Sequence, residues 1–419
     1  MIKNEEFGDT ILGRIHKEWE VVRLGDVADI NIESRDPSRE FTDKIFFYID
    51  IDSVENETGI IRSARPVLGK EAPSRAKRVI HYNDVLMSMV RPYLKAFAIV
   101  PKEYDHQICS TGFAVLTCRD MVLPKYLLYS LFSKTVIDQC NQMMVGGQYP
   151  ALNSSQVEKI KIPLPSLSEQ KKIAEILVTV DEAIEKVNEA IEKTERLKKG
   201  LMHELLTKGI GHTEFKETEI GRISREWEVV RLSELSLDFT GGGTPSTFNQ
   251  NYWNGDIAWM TSAHIKGREI TTGQRCITQE GLKNSATNLV PKDNLLVATR
   301  VGIGKVAINK IDVAISQDLT GVIVDKNRTI SDFLYWVLSN KESKLKSLAQ
   351  GSTIKGILRE DLGKLKIPIP PLPEQQKIAE ILSTVDNRLE LLRERKERLE
   401  KVKKGLMNDL LTGKKRVKI

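Results

Sequence analysis

Cysteine is scarce in this chain of 419 residues: four, at Cys109, Cys118, Cys140 and Cys276. Their spacings match no zinc motif, so buried, reduced thiols are expected. No run of 18 apolar residues occurs, which excludes an apolar membrane-spanning helix. The opening Met1-Ile-Lys-Asn-Glu-Glu-Phe-Gly8 has neither an apolar core nor a cleavage site. No secretion signal is visible there, and a cytoplasmic location is expected. Catalytic signatures are missing as well. Gly241-Gly-Gly-Thr-Pro245 is not followed by the Lys-Ser/Thr of a phosphate loop, and Gly302-Ile-Gly-Lys305 lacks that loop's upstream glycine. The Asn-Pro-Pro-Tyr of an amino-methyltransferase does not occur; Ile369-Pro-Pro-Leu372 shares only its prolines. The six histidines form no metal pair at helical spacing. No catalytic residue and no metal ligand is assigned, and the chain is expected to do no chemistry.

What it does have is a second copy of itself. Glu18-Trp-Glu-Val-Val-Arg-Leu24 returns as Glu226-Trp-Glu-Val-Val-Arg-Leu232. Lys159-Ile-Lys-Ile-Pro-Leu-Pro165 returns as Lys364-Leu-Lys-Ile-Pro-Ile-Pro370, and Lys198-Lys-Gly-Leu-Met202 as Lys403-Lys-Gly-Leu-Met407. A period near half the chain is far too long for a solenoid. The sequence between these blocks has diverged, so two similar scaffolds carry two unlike variable regions. Such a layout presents two different recognition surfaces at a fixed separation.

Net charge is +6, but its distribution is uneven. Residues 20–57 hold 4 basic and 11 acidic side chains, residues 62–102 hold 9 and 2, and residues 256–310 hold 8 and 4. The tail Lys414-Lys-Arg-Val-Lys418 adds four more cations. Segregated positive charge is the footprint of a polyanion partner.

After each Pro-rich block comes a segment with helical periodicity. In the first, Leu177, Ile184, Ile191 and Leu205 share one heptad row and Val180, Val187, Thr194 and Leu201 the other. In the second, Leu382, Leu389 and Leu410 share a row, beside Val385, Leu392, Leu399 and Leu406. These are a/d seams of coiled-coil helices, each extending about 60 Å at 1.5 Å per residue. Pro165, Pro370, Pro371 and Pro373 mark their starts. The matched seams predict that the two helices pair antiparallel within the molecule, in a pseudo-twofold arrangement. Gly200 and Gly405, inside the last turns, suggest close packing there.

The regions 20–160 and 228–365 each alternate short apolar runs with turns, then end in a helix, Pro124 to about Gln142 and Ser331 to about Leu348. Strands are predicted at 46–52, 84–90, 96–100 and 112–117, and at 255–261, 294–299, 305–308 and 321–324. The fold class is therefore α+β: two similar globular domains separated by two long antiparallel coiled-coil helices. The expected segments are 1–160, 161–211 (first spacer helix), 212–365, and 366–419 (second spacer helix and basic tail). Loop residues suited to grip nucleic acid are Arg75, Lys77, Arg78, Arg91, Tyr93, Lys95, Ser110 and Thr111 in the first domain. In the second they are Thr261, Ser262, His264, Lys266, Arg268, Thr299, Arg300, Lys305 and Gln317. Arginine and lysine suit guanine edges or phosphates, glutamine suits adenine, and hydroxyls suit phosphates. Two unlike lobes on a spacer also suit an adaptor for two protein partners; salt-dependent DNA affinity separates the two readings.

The combination of Glu-Trp-Glu-Val-Val-Arg-Leu, Thr240-Gly-Gly-Gly-Thr-Pro-Ser246, Tyr252-Trp-Asn-Gly-Asp-Ile-Ala-Trp259, Glu169-Gln170, Glu374-Gln375 and the Lys-Lys-Gly-Leu-Met helix ends resembles the specificity subunit of type I restriction-modification enzymes, over essentially the whole chain. The resemblance implies two target recognition domains, each binding half of a split double-stranded DNA sequence, with the paired helices setting the gap. It implies docking of two methyltransferase subunits that methylate adenine, joined by restriction subunits for ATP-dependent translocation and cleavage, with no membrane partner. No cofactor is expected on this chain; S-adenosylmethionine, ATP and magnesium would belong to the partner subunits.

Overall fold

The computed structural model describes residues 7–10, 12–145, 147, 150–350 and 356–417. Residues 1–6 and Lys418 of the basic tail, used above, lie outside the described residues. Among the described residues no helix is long and apolar enough to cross a membrane. Contacts divide the chain into two units, residues 1–189 with 394–419, and residues 190–393. That division differs from the four consecutive segments expected. Each unit takes one lobe together with one half of each long helix, because helix seam and lobe share a core.

Both units repeat one order of elements. A hairpin comes first, Phe7–Thr10 with Gly13–His16, or Phe215–Thr218 with Gly221–Ser224. Next is an antiparallel ladder made by two of the repeated blocks: Glu20–Arg23 against Lys161–Leu164, and Glu228–Arg231 against Lys366–Ile369. Between the ladder strands lies the lobe. In the first unit one sheet runs Arg65–Leu68, Ile45–Ile49, Gln107–Ser110, Ala76–Ile80, with its middle pair parallel. The other runs Ala28–Ile30, Phe113–Cys118, Val85–Ser88, Phe97–Ile99. In the second unit the order is Arg275–Ile277, Trp253–Met260, Val313–Ile315, Asn288–Val290, again with a parallel middle pair. Its other sheet is Ser236–Gly241, Leu319–Val324, Asn294–Ala298, Val306–Asn309, Glu269–Ile270.

Side chains alternate across a strand, and both faces of the central strands are used. Val85, Met87 and Phe97 pack toward the helices, while Leu86, Ala98 and Val115 pack against the other sheet. Leu295 and Val297, against Leu296 and Ala298, repeat the pattern in the second unit. The single lobe helix expected in each domain is broken in two. Ser133, at φ −63° and ψ 148°, ends Pro124–Phe132 and caps Lys134–Met143 by accepting from the Val136 N–H at 3.3 Å. A hydroxyl that competes for the backbone stops one helix and starts the next. Lys341, at ψ 19°, separates Ser331–Asn340 from Glu342–Ser347.

The long helices are Leu167–Leu205 and Leu372–Leu410. Within the first unit Lys403 meets Asp181 at 2.6 Å, and the later Arg416 meets the earlier Glu169 at 2.5 Å. Within the second, Lys198 meets Asp386 at 2.5 Å and Glu195 meets Arg393 at 2.7 Å. In each unit the partner's number falls as the residue's number rises, so the helices pack antiparallel. Leu177, Val187, Leu205, Leu382, Leu389 and Leu410 are buried; Val180, Ile184, Ile191, Leu201, Val385, Leu392, Leu399 and Leu406 are half-buried. Off the seam, Leu391 and Leu197 are exposed.

Candidate nucleic-acid interface

The repeated residues do one structural job twice. The indole N–H of Trp19 donates to Glu169 Oε2 at 3.1 Å, and that of Trp227 donates to Glu374 Oε2 at 3.1 Å. Each glutamate then meets a nitrogen-bearing side chain from just beyond the end of the other long helix. Arg416 grips Glu169 through two nitrogens and reaches Glu18 at 2.7 Å, whereas His212 Nε2 lies 2.9 Å from Glu374. Gly413 (φ +70°) and Gly209 (φ +74°) turn the chain after each helix. A Cβ there would stand 2.6 Å from His16 or 2.7 Å from Trp227, so only glycine fits both the left-handed backbone and the close approach.

Beside the glutamates, Gln170 and Gln375 are fully buried. Gln170 donates to the Met121 and Pro165 carbonyls and accepts from the Leu123 N–H; Gln375 donates to the Arg328 and Pro370 carbonyls and accepts from Thr329 and Ile330. Each glutamine thereby ties the start of the first lobe helix to the start of a long helix. Lys403 and Lys198 complete the joint. Lys403, bonded to Asp181, lies 6.0 Å from the Tyr129 ring centroid, and Lys198, bonded to Asp386, lies 5.1 Å from that of Trp336. Burial, then the Asp181 carboxylate, pushes the Tyr129 phenol up, so it remains the donor to Asp181 at 2.7 Å.

With the lobes held this way, the turn that crosses from one sheet to the other becomes the meeting point of the predicted residues. It is Ser110-Thr111-Gly112 in the first unit and Ser316-Gln317-Asp318 in the second. Met89 N–H bonds the Gly112 carbonyl and Thr299 N–H the Asp318 carbonyl, bringing the Arg91 and Arg300 loops alongside. Thr111 N–H bonds the Arg75 carbonyl, and Ser316 N–H the Met260 carbonyl beside Thr261. Three segments in each lobe, distant in sequence, therefore share one edge. The first-unit loop Arg91–Lys95 is a tight turn whose two ends, Arg91 (φ 47°) and Lys95 (φ 56°), both adopt the left-handed region. Two non-glycine residues there imply local strain, which clusters at functional positions.

The side chains divide into three groups. Exposed are Arg75, Tyr93, Lys266, Arg300, Lys305 and Gln317. Others are occupied within the chain: Lys77 pairs with Asp36 at 2.6 Å and Lys95 with Glu57 at 2.9 Å. Thr261 bonds Gln274, and His264 lies 3.1 Å from the Thr272 carbonyl. Arg268 is pinned between Glu269, Asp332 and the Ser383 hydroxyl on the second long helix, a joint rather than an outward reader. The third group is turned inward. Ser110, Ser262 and Thr299 are buried, and Arg78 has a buried Nη1, burial pushing its guanidinium down. Thr111 and Arg91 are half-buried. Four of the eleven acidic residues in 20–57 pair with the basic run that follows, through Asp36–Lys77, Asp50–Arg65, Glu55–Arg62 and Glu57–Lys95.

A family model described as the type I restriction modification DNA specificity domain matches residues 16–195 and again 224–401. The chain belongs to this family. It is similar to the putative type I restriction enzyme MjaX specificity subunit of Methanocaldococcus jannaschii, 32% identical over 99% of this chain and 98% of that protein. The MjaVIII specificity subunit of the same organism is 30% identical over 99% and 97%. A structure solved in work on complex assembly and conformational transition of the type I R-M system has a TM-score of 0.60 and 26% identity, covering 95% of this chain and 99% of that one. The family model's two matches each begin just before a repeated Trp block and run into a long helix.

Sequence reasoning missed Thr244, whose hydroxyl donates to Gln317 Oε1 at 2.7 Å. In sequence the glycine run before it reads as an incomplete phosphate loop and as part of the family resemblance, and neither reading gives Thr244 a contact. It also gave Glu169 and Gln170 no task, although their doubling was the available signal.

Proposed function

We propose that this chain is the DNA-specificity subunit of a type I restriction-modification complex, each lobe binding one half of a bipartite double-stranded target. The observation that carries the reading is the repetition of one lobe-to-helix joint, Trp–Glu–Gln–Lys, under two lobes whose outward edges differ. Identical mounts with unlike faces suit two recognitions in one register. In this reading the paired long helices set the unread gap and dock two methyltransferase subunits, which methylate adenine with S-adenosylmethionine. Restriction subunits add ATP- and magnesium-dependent translocation and cleavage. Gly200 and Gly405 support the docking. Both lie exposed in helix interiors with nothing within 4 Å of an added Cβ, so no neighbour among the described residues calls for glycine. A helix interior loses about 1 kcal/mol by glycine relative to alanine, and a partner's close approach supplies a reason to bear that.

The test is to express the chain with its methyltransferase partner and map methylation by long-read sequencing. Two short blocks of specified bases around an unspecified gap are expected. One uninterrupted motif, or no methylation with an active partner, refutes the reading.

A further inference from the structure

The glycine run in the second lobe is a clamped platform. A Cβ on Gly242 would stand 2.1 Å from the Ile315 carbonyl oxygen, and one on Gly243 2.6 Å from the Ala286 carbonyl carbon. Without side chains, the loop lies directly on the end of the sheet. Its backbone is then held at four points. Asn288 donates to the Gly241 carbonyl at 2.8 Å, and the Gly243 N–H to the Ile315 carbonyl at 2.9 Å. The indoles of Trp259 and Trp253 donate to the Gly243 and Ser246 carbonyls at 3.2 and 3.0 Å. Those two buried rings meet edge to face at 5.3 Å, with Arg275 3.8 Å above Trp253.

What so much fixing presents outward is one contact. Thr244, exposed, donates its hydroxyl to Oε1 of exposed Gln317. Gln317 is the middle residue of the sheet-crossing turn, beside Arg300, whose N–H reaches the Asp318 carbonyl at 3.4 Å. A free glutamine turns its carboxamide end for end and pairs with donors or acceptors alike. Here the carboxamide oxygen faces the Thr244 hydroxyl, which leaves the amino group on the other side.

We infer that Thr244 holds the Gln317 carboxamide with its oxygen engaged and its amino group outward, and that this amino group reads one base in the half-site of the second lobe as a hydrogen-bond donor. The matching edges are those rich in acceptors, guanine O6 and N7 before thymine O4. The inference rests on the DNA-specificity reading and deepens it, naming the residue and the polarity of one base contact. It belongs to the second lobe alone. At the same place in the first lobe stands Thr111, half-buried, with its N–H tied to the Arg75 carbonyl and no glycine run beside it. One scaffold position thus carries a different side chain in each lobe, as two unlike half-sites require.

The experiment compares methylation maps of the complex carrying wild-type chain, Gln317→Glu, Thr244→Val and Thr244→Ser. Glutamate keeps the Thr244 contact but turns an acceptor outward. One position of the second half should then change to a base pair read through an amino group, cytosine N4 or adenine N6. Methylation of the original sequence should fall roughly tenfold to a hundredfold. Valine frees the amide and should make that single position degenerate, whereas serine should keep the wild-type motif. The first half should be identical in all four maps. Unchanged motifs in Gln317→Glu and Thr244→Val, changes in the first half, or complete loss of methylation by these exposed replacements would overturn the inference. A two-part wild-type motif with an unaltered Gln317→Glu map defeats this inference alone; a wild-type map without two parts defeats the DNA-specificity reading with it.

Discussion

Replacing Gln375 by leucine tests whether the doubled Glu-Gln blocks are the joints that set each lobe on its helix. The side chain is fully buried and makes four hydrogen bonds of 2.8–3.2 Å, to Arg328, Thr329, Ile330 and Pro370. Leucine matches its bulk but leaves the Thr329 hydroxyl and the Ile330 N–H without their partner. Each stranded buried donor costs about 1–3 kcal/mol. Two donors give about 4 kcal/mol, with the two carbonyls adding less because each keeps a second lone pair. In a unit of this size 1 kcal/mol lowers the midpoint by about 2–4 °C. The second unit should therefore melt roughly 8–16 °C lower in Gln375→Leu. Differential scanning calorimetry reads this directly, with Gln376→Leu as control, since the neighbouring Gln376 is exposed and its side chain bonds Glu380 one turn along the same helix at 3.0 Å. If Gln375→Leu melts within a degree or so of Gln376→Leu, the joint is not held by this side chain. Gln170→Leu should repeat the loss in the first unit.

Lys403→Met should destabilise the first unit by about 1–3 kcal/mol, because it strips the cation from half-buried Asp181 and from the Tyr129 ring; a double-mutant cycle with Asp181→Asn should show coupling in chemical denaturation, and additivity would refute it. At pH 8 one thiol, exposed Cys276, should react quickly with a thiol reagent and the other three only on unfolding, since burial pushes Cys118 and Cys140 up to about 12 and Cys109 higher still. The same shifts give a sign for stability: unfolded thiols lose protons that the folded ones keep, so their contribution is complete below about pH 8.5 and declines as pH rises toward 12, which denaturation midpoints across that window will check. Arg300→Ala and Arg91→Ala should weaken DNA binding by the complex in titrations at fixed salt; equal loss on cognate and unrelated duplexes would mark phosphate contacts, and loss confined to cognate DNA would mark base readers. Gly200→Ala should raise the free chain's stability by about 1 kcal/mol, and Gly405→Leu should leave folding intact while reducing methyltransferase co-purification; normal co-purification would count against docking on that face.

Much of this protein follows from its residues in order. The doubled blocks announce two copies of one scaffold, and the heptad rows announce two helices whose seams match. Local pattern suffices there because helix and strand periodicity record which face is buried. Strands such as Val85–Ser88 and Asn294–Ala298 were legible for the same reason, whereas Ala76–Ile80, with Lys77 and Arg78 in its middle, was not. The break at Ser133 was hidden because its hydroxyl reads as helix-compatible until the cap at Val136 is seen.

Tertiary structure alone decided what the charges and the doubled polar residues do. A cation counted along the chain looks available for a polyanion, but Lys77, Lys95 and Arg268 are committed to carboxylates that folding brings to them. Glu169 and Gln170 gain their meaning from Trp19 and Leu123, far away in sequence. The division into units, lobe plus two half-helices, was invisible for the same reason. Periodicity is a property of neighbouring residues, whereas a hydrogen bond or ion pair depends on which distant groups the fold places within about 3 Å, and no local pattern encodes that distance.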